Sequence, residues 1–139
     1  MNKLKIILLM LLMPCLANAQ KTITTDKFHW SIHRGVKVVE FWVIWNKENQ
    51  VDFLGELTNC EAYRYPIVSS TEIMEEYNVT AAPTILIFKD GELKARFEPN
   101  IMMQISESKE EVQAAINSIA NENRRRNQPL TDSDRMFRY

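Results

Sequence analysis

Cysteine is scarce in this chain. Only Cys15 and Cys60 occur among 139 residues, and the first falls in an N-terminal stretch with the marks of an export leader. Lys3 and Lys5 supply a positive start, Ile6 to Leu12 an unbroken apolar run, and Ala17-Asn18-Ala19 a small-x-small cleavage site. Cleavage there would leave a mature chain that begins at Gln20 and carries Cys60 as its single thiol. Such a chain forms no intramolecular disulfide and runs no dithiol–disulfide cycle, which needs an attacking and a resolving sulfur. Two readings of Cys60 stay open: a small buried apolar residue, or the sulfur of an intermolecular disulfide. Cys15 invites a lipoprotein reading, which Pro14 directly before it fits poorly.

Long apolar runs are missing too. The leader's run is shorter than the ~20 residues a spanning helix needs, so the expectation is an exported chain without a membrane anchor, periplasmic or secreted further out. Charge of one sign is also missing. Seventeen basic side chains meet eighteen acidic ones, and no basic face with interleaved aromatics points to nucleic acid. The imbalance that exists is local. Residues 121–139 carry Arg124, Arg125, Arg126, Arg135 and Arg138 against Glu122, Asp132 and Asp134. There is no internal repeat. His29 and His33 stand one helical turn apart, a ligand spacing, but only Asp26 is near them in sequence, and a solvated helix face explains the pair better than a metal. No metal and no other cofactor is expected.

What the sequence does hold is an alternation of strand and helix signals. Lys21-Thr22-Ile23 is short and β-tending. Thr25 or Asp26 can cap a brief helix with Phe28 and Ile32 on one face, ended by Gly35. Residues 36–44 are β-branched and aromatic, as in a central strand buried on both faces. A second helix is expected from near Lys47 to Thr58-Asn59, turning Val51, Leu54 and Leu57 inward. Ala62 to Val68 read as a third strand, closed at Pro66. Ser69-Ser70-Thr71-Glu72 is a capping-box start for a short helix with Ile73, Met74 and Tyr77. Thr84 to Phe88 and Leu93 to Phe97 flank Asp90-Gly91 as a hairpin. Ser108-Lys109-Glu110-Glu111 opens a last helix with Val112, Ala115, Ile116 and Ile119 inward. The order β-α-β-α-β-α-β-β-α implies an α/β fold: a mixed sheet, part parallel and part antiparallel, with helices on both faces.

Four segments sharpen this picture: Glu40-Phe41-Trp42 before Trp45, the Asn46-Lys47-Glu48-Asn49 corner, Tyr77-Asn78-Val79 before Ala82-Pro83-Thr84, and Phe88-Lys89-Asp90-Gly91-Glu92. In this order and spacing the chain resembles the thioredoxin family, which has Trp-Cys-Gly-Pro-Cys at the strand-to-helix corner and a cis-proline facing it. Asn46 and Asn49 stand where the family has its two cysteines. The resemblance covers about residues 21–120. It implies a thioredoxin-like three-layer sandwich, the strand order of that fold, and a cis peptide bond at Pro83. The expected organisation is a leader at 1–19, a thioredoxin-like domain at 20–120, and a polar tail at 121–139. Two further departures stand out. The second helix and its loop look about two turns short, and Asn100 to Ile105 replace a tight glycine-containing corner.

The resemblance also implies where function should sit. Glu40 matches the family's buried acid, whose proton-transfer task disappears with Asn49 in the second cysteine's place. Asn46 then reads as a helix N-cap, and Glu40 as a carboxylate held by a neighbour such as Lys47 or a water. The family's loop before the cis-proline offers backbone hydrogen bonds to an extended peptide, a contact that requires no sulfur. Trp45, Asn46, Asn49, Ala81, Ala82, Pro83, Met102 and Met103 are therefore the expected binding residues for another polypeptide. The competing reading has Ile101, Met103 and Ile105 simply filling the space left by the short helix. The tail, ending Met136-Phe137-Arg138-Tyr139, reads either as a partner-binding motif or as a frayed end. The expected function is a redox-inactive, non-enzymatic, exported protein-binding or adaptor module. The alternative is a chaperone-like or redox-accessory protein that engages many clients, by a mixed disulfide at Cys60. A carrier of a small ligand or metal is a third, weaker reading.

Overall fold

β-Branched and aromatic side chains dominate the stretch that becomes the middle of the sheet. In chain order the elements are β1 (Lys21–Thr22), a 3-10 turn at Thr25–Lys27 running into α1 (Phe28–Ile32), β2 (Val36–Trp42), 3-10 turns at Ile44–Asn49 and Leu54–Glu56, β3 (Glu61–Pro66), α2 (Thr71–Glu76), β4 (Thr84–Lys89), β5 (Glu92–Phe97) and α3 (Lys109–Ala120). This computed structural model describes residues 21–68 and 71–122. Residues 1–20, 69–70 and 123–139 lie outside the described residues, and with them the expected leader and most of the expected tail at 121–139.

Five strands form one sheet in the order β1-β3-β2-β4-β5. β1 and β2 run parallel to β3, while β4 runs antiparallel to both β2 and β5. β2 is thus paired on both sides, and Val38, Val39, Glu40 and Phe41 are all buried. Alternate residues along it feed two cores. Val39 and Phe41 join Phe28, Ile32, Tyr65, Ile73 and Phe88 on the face covered by α1 and α2. Val38 joins Val51, Leu54, Ile85, Ile87, Val112 and Ile116 on the face covered by α3. Phe28 anchors the first core, its ring lying 5.9 Å from that of Phe41, 5.5 Å from Tyr65 and 6.0 Å from Phe88. Contacts of this geometry add to simple area burial.

Local signals place the hairpin and the last helix. Asp90 (φ +50°) and Gly91 (φ +84°) both turn left-handed, the requirement of a two-residue hairpin turn. The Asp90 carboxylate also accepts the Gly35 N–H at 2.8 Å, tying the end of α1 to the hairpin. Ser108 and Glu111 close the expected capping box. At the other end of α3, Lys89 Nζ donates to the carbonyls of Ile119 and Ala120, at 2.8 and 3.1 Å, satisfying two groups the helix leaves open. Strand ends differ from the sequence expectation by a residue or two. Thr24, not Thr25 or Asp26, occupies the N-cap position of the first turn.

The second helix is the expectation the structure overturns. Residues 43–60 form only the two 3-10 turns, and Asn46 breaks helical geometry with φ −116° and ψ 28°. The composition accounts for it. Asn46, Asn49, Asp52, Thr58 and Asn59 have short polar side chains that compete with the backbone for hydrogen bonds, and Gly55 costs ~1 kcal/mol relative to alanine in a helix interior. Val51, Leu54 and Leu57 still reach the core as expected. Side chains from surrounding elements hold this segment where a helix would hold itself. Thr58 exchanges two hydrogen bonds with the Gln113 side chain, each 2.9 Å, and Asn59 donates to Asn117 Oδ1 at 3.0 Å.

The strongest of these ties runs through Glu40. Its side chain is fully buried. One carboxylate oxygen accepts the Val51 N–H at 2.7 Å, and the other accepts Arg64 Nε at 2.7 Å. Arg64 also donates to the Val51 carbonyl at 2.6 Å. The expected partner Lys47 is exposed and plays no part; Arg64 sits directly opposite Glu40 in the parallel register. Burial pushes the Glu40 carboxyl up, against the downward pull of Arg64 and the Val51 N–H.

Arg64→Met leaves the Glu40 carboxylate buried without its counter-charge. A loss of about 3–5 kcal/mol is expected in urea unfolding near neutral pH. Because the folded-state pKa of Glu40 lies above its ordinary 4.5, the folded chain takes up this proton first as pH falls. Protonation ends the ion pair in the parent and relieves the lone charge in the variant, so the gap should narrow below that raised pKa. A gap that stays constant from about pH 7 to about pH 4 would assign the loss to packing instead.

Candidate functional site

At the C-terminal end of β2 the chain turns through Ile44–Asn49 and meets two other segments: the loop before β4 and the 100–105 insertion. The Ala82–Pro83 peptide bond is cis. Asn46 spans all three segments. Its amide nitrogen donates to Ala82 O at 3.1 Å and to Met103 O at 3.0 Å. Asn49 donates to Asn46 Oδ1 at 2.7 Å and accepts from Gln104 Nε2 at 3.1 Å. A directed relay results: Gln104 to Asn49 to Asn46 to two main-chain carbonyls. Asn46 is therefore a cross-brace and not the helix N-cap the sequence suggested; it sits at a kink between short 3-10 pieces, and no α-helix begins there for it to cap.

The insertion is organised by Asn100. Its side-chain oxygen accepts the N–H groups of Met102 and Gln104, at 2.8 and 3.2 Å, and its backbone pairs with Gln104 O and the Met103 N–H. Met103 sits at φ +56°, a conformation a non-glycine residue holds only when its surroundings fix it. Here the Asn46 bond and the Asn100 turn do so.

The expected binding residues divide by exposure. Ala82 and Pro83 are buried, and Asn46, Asn49, Ala81 and Met103 are half-buried. The carbonyls of Ala81 and Ala82 already accept internal donors, the Thr84 hydroxyl at 2.7 Å and the Asn46 amide. Trp45 and Met102 instead face solvent, 71% and 68% exposed, and their neighbours Ile44 and Ile101 are 72% and fully exposed. The Asn46–Met103 bond fastens these two apolar pairs to one seam. Ile101 therefore does not fill the core as one reading had it, although Ile105 does pack against the second core. The sequence reading missed Ile44, placed inside the strand, and Gln104, whose amide has meaning only once Asn49 faces it.

Cys60 lies just before β3, half-buried against the second core. Burial first, then the neighbouring Glu61, push its thiol up to about 11. Since the thiolate is the nucleophile, this sulfur is a weak one at neutral pH. Glu40, with Val51 and Arg64, is a structural brace. His29 Nε2 sits 3.1 Å from Glu76 Oε2, which ties α1 to α2. Among the described residues no three metal-ligating side chains gather in one place.

The relay itself is open to test. Asn46→Ala removes both carbonyl contacts, and a stability loss of about 1–3 kcal/mol is expected. Amide exchange at residues 100–105 should quicken while the β2–β4 ladder stays protected. An unchanged insertion would mean that Asn100 alone holds it.

No protein-family model matches the chain, and none of the curated proteins matches it significantly. Solved structures do. A mutant thioredoxin from Halobacterium salinarum superposes with a TM-score of 0.58 at 16% identity, over 73% of this chain and 91% of that one. The thioredoxin of Malassezia sympodialis gives 0.55 at 21% identity, over 73% and 91%. A designed protein gives 0.57 at 17% identity, over 72% and 96%. At these identities the likeness is one of fold.

Proposed function

We propose that this chain, which has a thioredoxin-like fold, is a redox-inactive, exported protein-binding module, and that its contact surface is the apolar group Ile44, Trp45, Ile101 and Met102. The reading rests on one observation above all. Four large apolar side chains stand in water on two segments held together by the Asn46–Met103 bond. Single exposed apolar residues mean little, but a cluster on a braced scaffold marks an interaction surface. Tryptophan supplies wide contact area at low entropic cost, and methionine adapts its shape to a partner.

This refines the groove suggested by family resemblance. The loop carbonyls at Ala81 and Ala82 already carry internal donors, so side-chain burial, not strand addition, is the favoured contact. The non-enzymatic part follows from chemistry. Asparagine at both cysteine positions provides no attacking sulfur, and the raised Cys60 thiol argues against a mixed-disulfide mechanism. Export to the periplasm rests on the composition of residues 1–19 alone, and a contribution from the tail on its arginines and aromatics.

Purified mature chain should give no catalysis of insulin reduction by dithiothreitol; clear turnover would overturn the non-enzymatic reading. Crosslinking in the native cell should capture one dominant partner at fixed stoichiometry. Trp45→Ala with Met102→Ala should lose it while keeping the parent's thermal midpoint, since both side chains are exposed. A broad set of clients insensitive to the pair would favour the chaperone alternative.

A further inference from the structure

At the opposite end of the sheet, a concavity opens between the end of α1 and the starts of β2 and β3. It has a volume of about 620 Å³ and is lined by Trp30, His33, Arg34, Lys37, Glu61 and Tyr63. That volume suits a small ligand. Its side chains fall into two sets. Lys37 Nζ lies 3.1 Å from Glu61 Oε1, and the Tyr63 hydroxyl donates to Glu61 Oε2 at 2.6 Å. The Tyr63 hydrogen bond and Lys37 together hold the Glu61 carboxyl below its ordinary value, so the acidic charge here is already matched.

The second set is uncommitted. Trp30 is 80% exposed. His33 and Arg34 face solvent beside it, and among the described residues the Arg34 guanidinium has no hydrogen-bond or ion-pair partner. With Glu61 matched by Lys37, Arg34 is the unbalanced charge of the concavity. A guanidinium offers a planar fork of donors that fits a carboxylate or phosphate. An exposed indole offers a face for a planar ring. Neither feature alone would mark a site. Together, in a recess floored by a fixed Lys37–Glu61–Tyr63 rail, they match the two halves of one kind of molecule.

We propose that this concavity binds a small aromatic oxyanion, with the ring against Trp30 and the carboxylate or phosphate on Arg34. The site is separate from the contact surface at Trp45, since it lies at the N-terminal ends of β2 and β3 and that surface lies beyond the C-terminal end of β2. Its failure or success leaves the other reading untouched.

Calorimetric titration of the mature chain with phenyl phosphate, benzoate, inorganic phosphate and benzyl alcohol tests it. At least one of the two aromatic oxyanions should bind saturably and about tenfold or more tighter than either inorganic phosphate or benzyl alcohol, and the tighter of the two identifies the anionic group. Arg34→Ala and Trp30→Ala should each weaken that binding about tenfold, with the thermal midpoint kept because both side chains are exposed. Trp45→Ala should leave it unchanged. No saturable binding of either aromatic oxyanion, equal affinity for inorganic phosphate or benzyl alcohol, or indifference to Arg34→Ala would overturn the proposal.

Discussion

Glu40 and Arg64 hold one residue, Val51, by the N–H of the peptide before it and the C=O of the peptide after it. The path of the chain between β2 and β3 depends on that clamp. The segment between β2 and β3 cannot sustain a helix, so its path over the second core must be fixed from outside. The clamp fixes it at Val51, Gln113 at Thr58 and Asn117 at Asn59. With the path set, Leu54 and Leu57 reach the core, Asn46 reaches the cis-proline loop and Asn49 reaches Gln104 of the insertion. A buried pair of this kind is costly to desolvate and stabilises only when its remaining hydrogen bonds are met. The Val51 N–H and the Val51 carbonyl meet them.

The second consequence is a corner whose polar groups satisfy one another. The corner after β2 presents amides wired across three segments. An amide can donate and accept at once, which suits it to bracing a junction. Alongside the exposed Lys47, Glu48 and Gln104, four large apolar side chains face solvent there: Ile44 and Trp45 on one segment, Ile101 and Met102 on the other. The amides at positions 46 and 49 thus build the scaffold of the proposed contact surface.

Much of this fold was legible because its signals are local. Asp90-Gly91 specifies a hairpin turn, Ser108 with Glu111 specifies a helix start, and the apolar run at 36–42 specifies a doubly buried strand. The order of those signals, with Pro83, pointed to the thioredoxin-like architecture that the structural neighbours support. The helix after Trp45 was misread because inward residues at 51, 54 and 57 fit a helical spacing, yet 3-10 turns bury the same three side chains. Asn46 was misread with it, since a cap exists only if the helix does. Arg64 was overlooked because its meaning comes from lying opposite Glu40 across a parallel ladder, a pairing between residues 24 positions apart. The exposed face depended on which side of the insertion met water, and no periodicity governs so short a loop.

The most direct test of the contact surface is site-specific photo-crosslinking in the cell, with the reactive side chain placed in turn at Trp45, Met102 and, as a control on the exposed side of α3, Ser118. The account predicts the same single crosslinked species from positions 45 and 102 and none from position 118. Crosslinks from 118 alone, or unrelated species from 45 and 102, would contradict it.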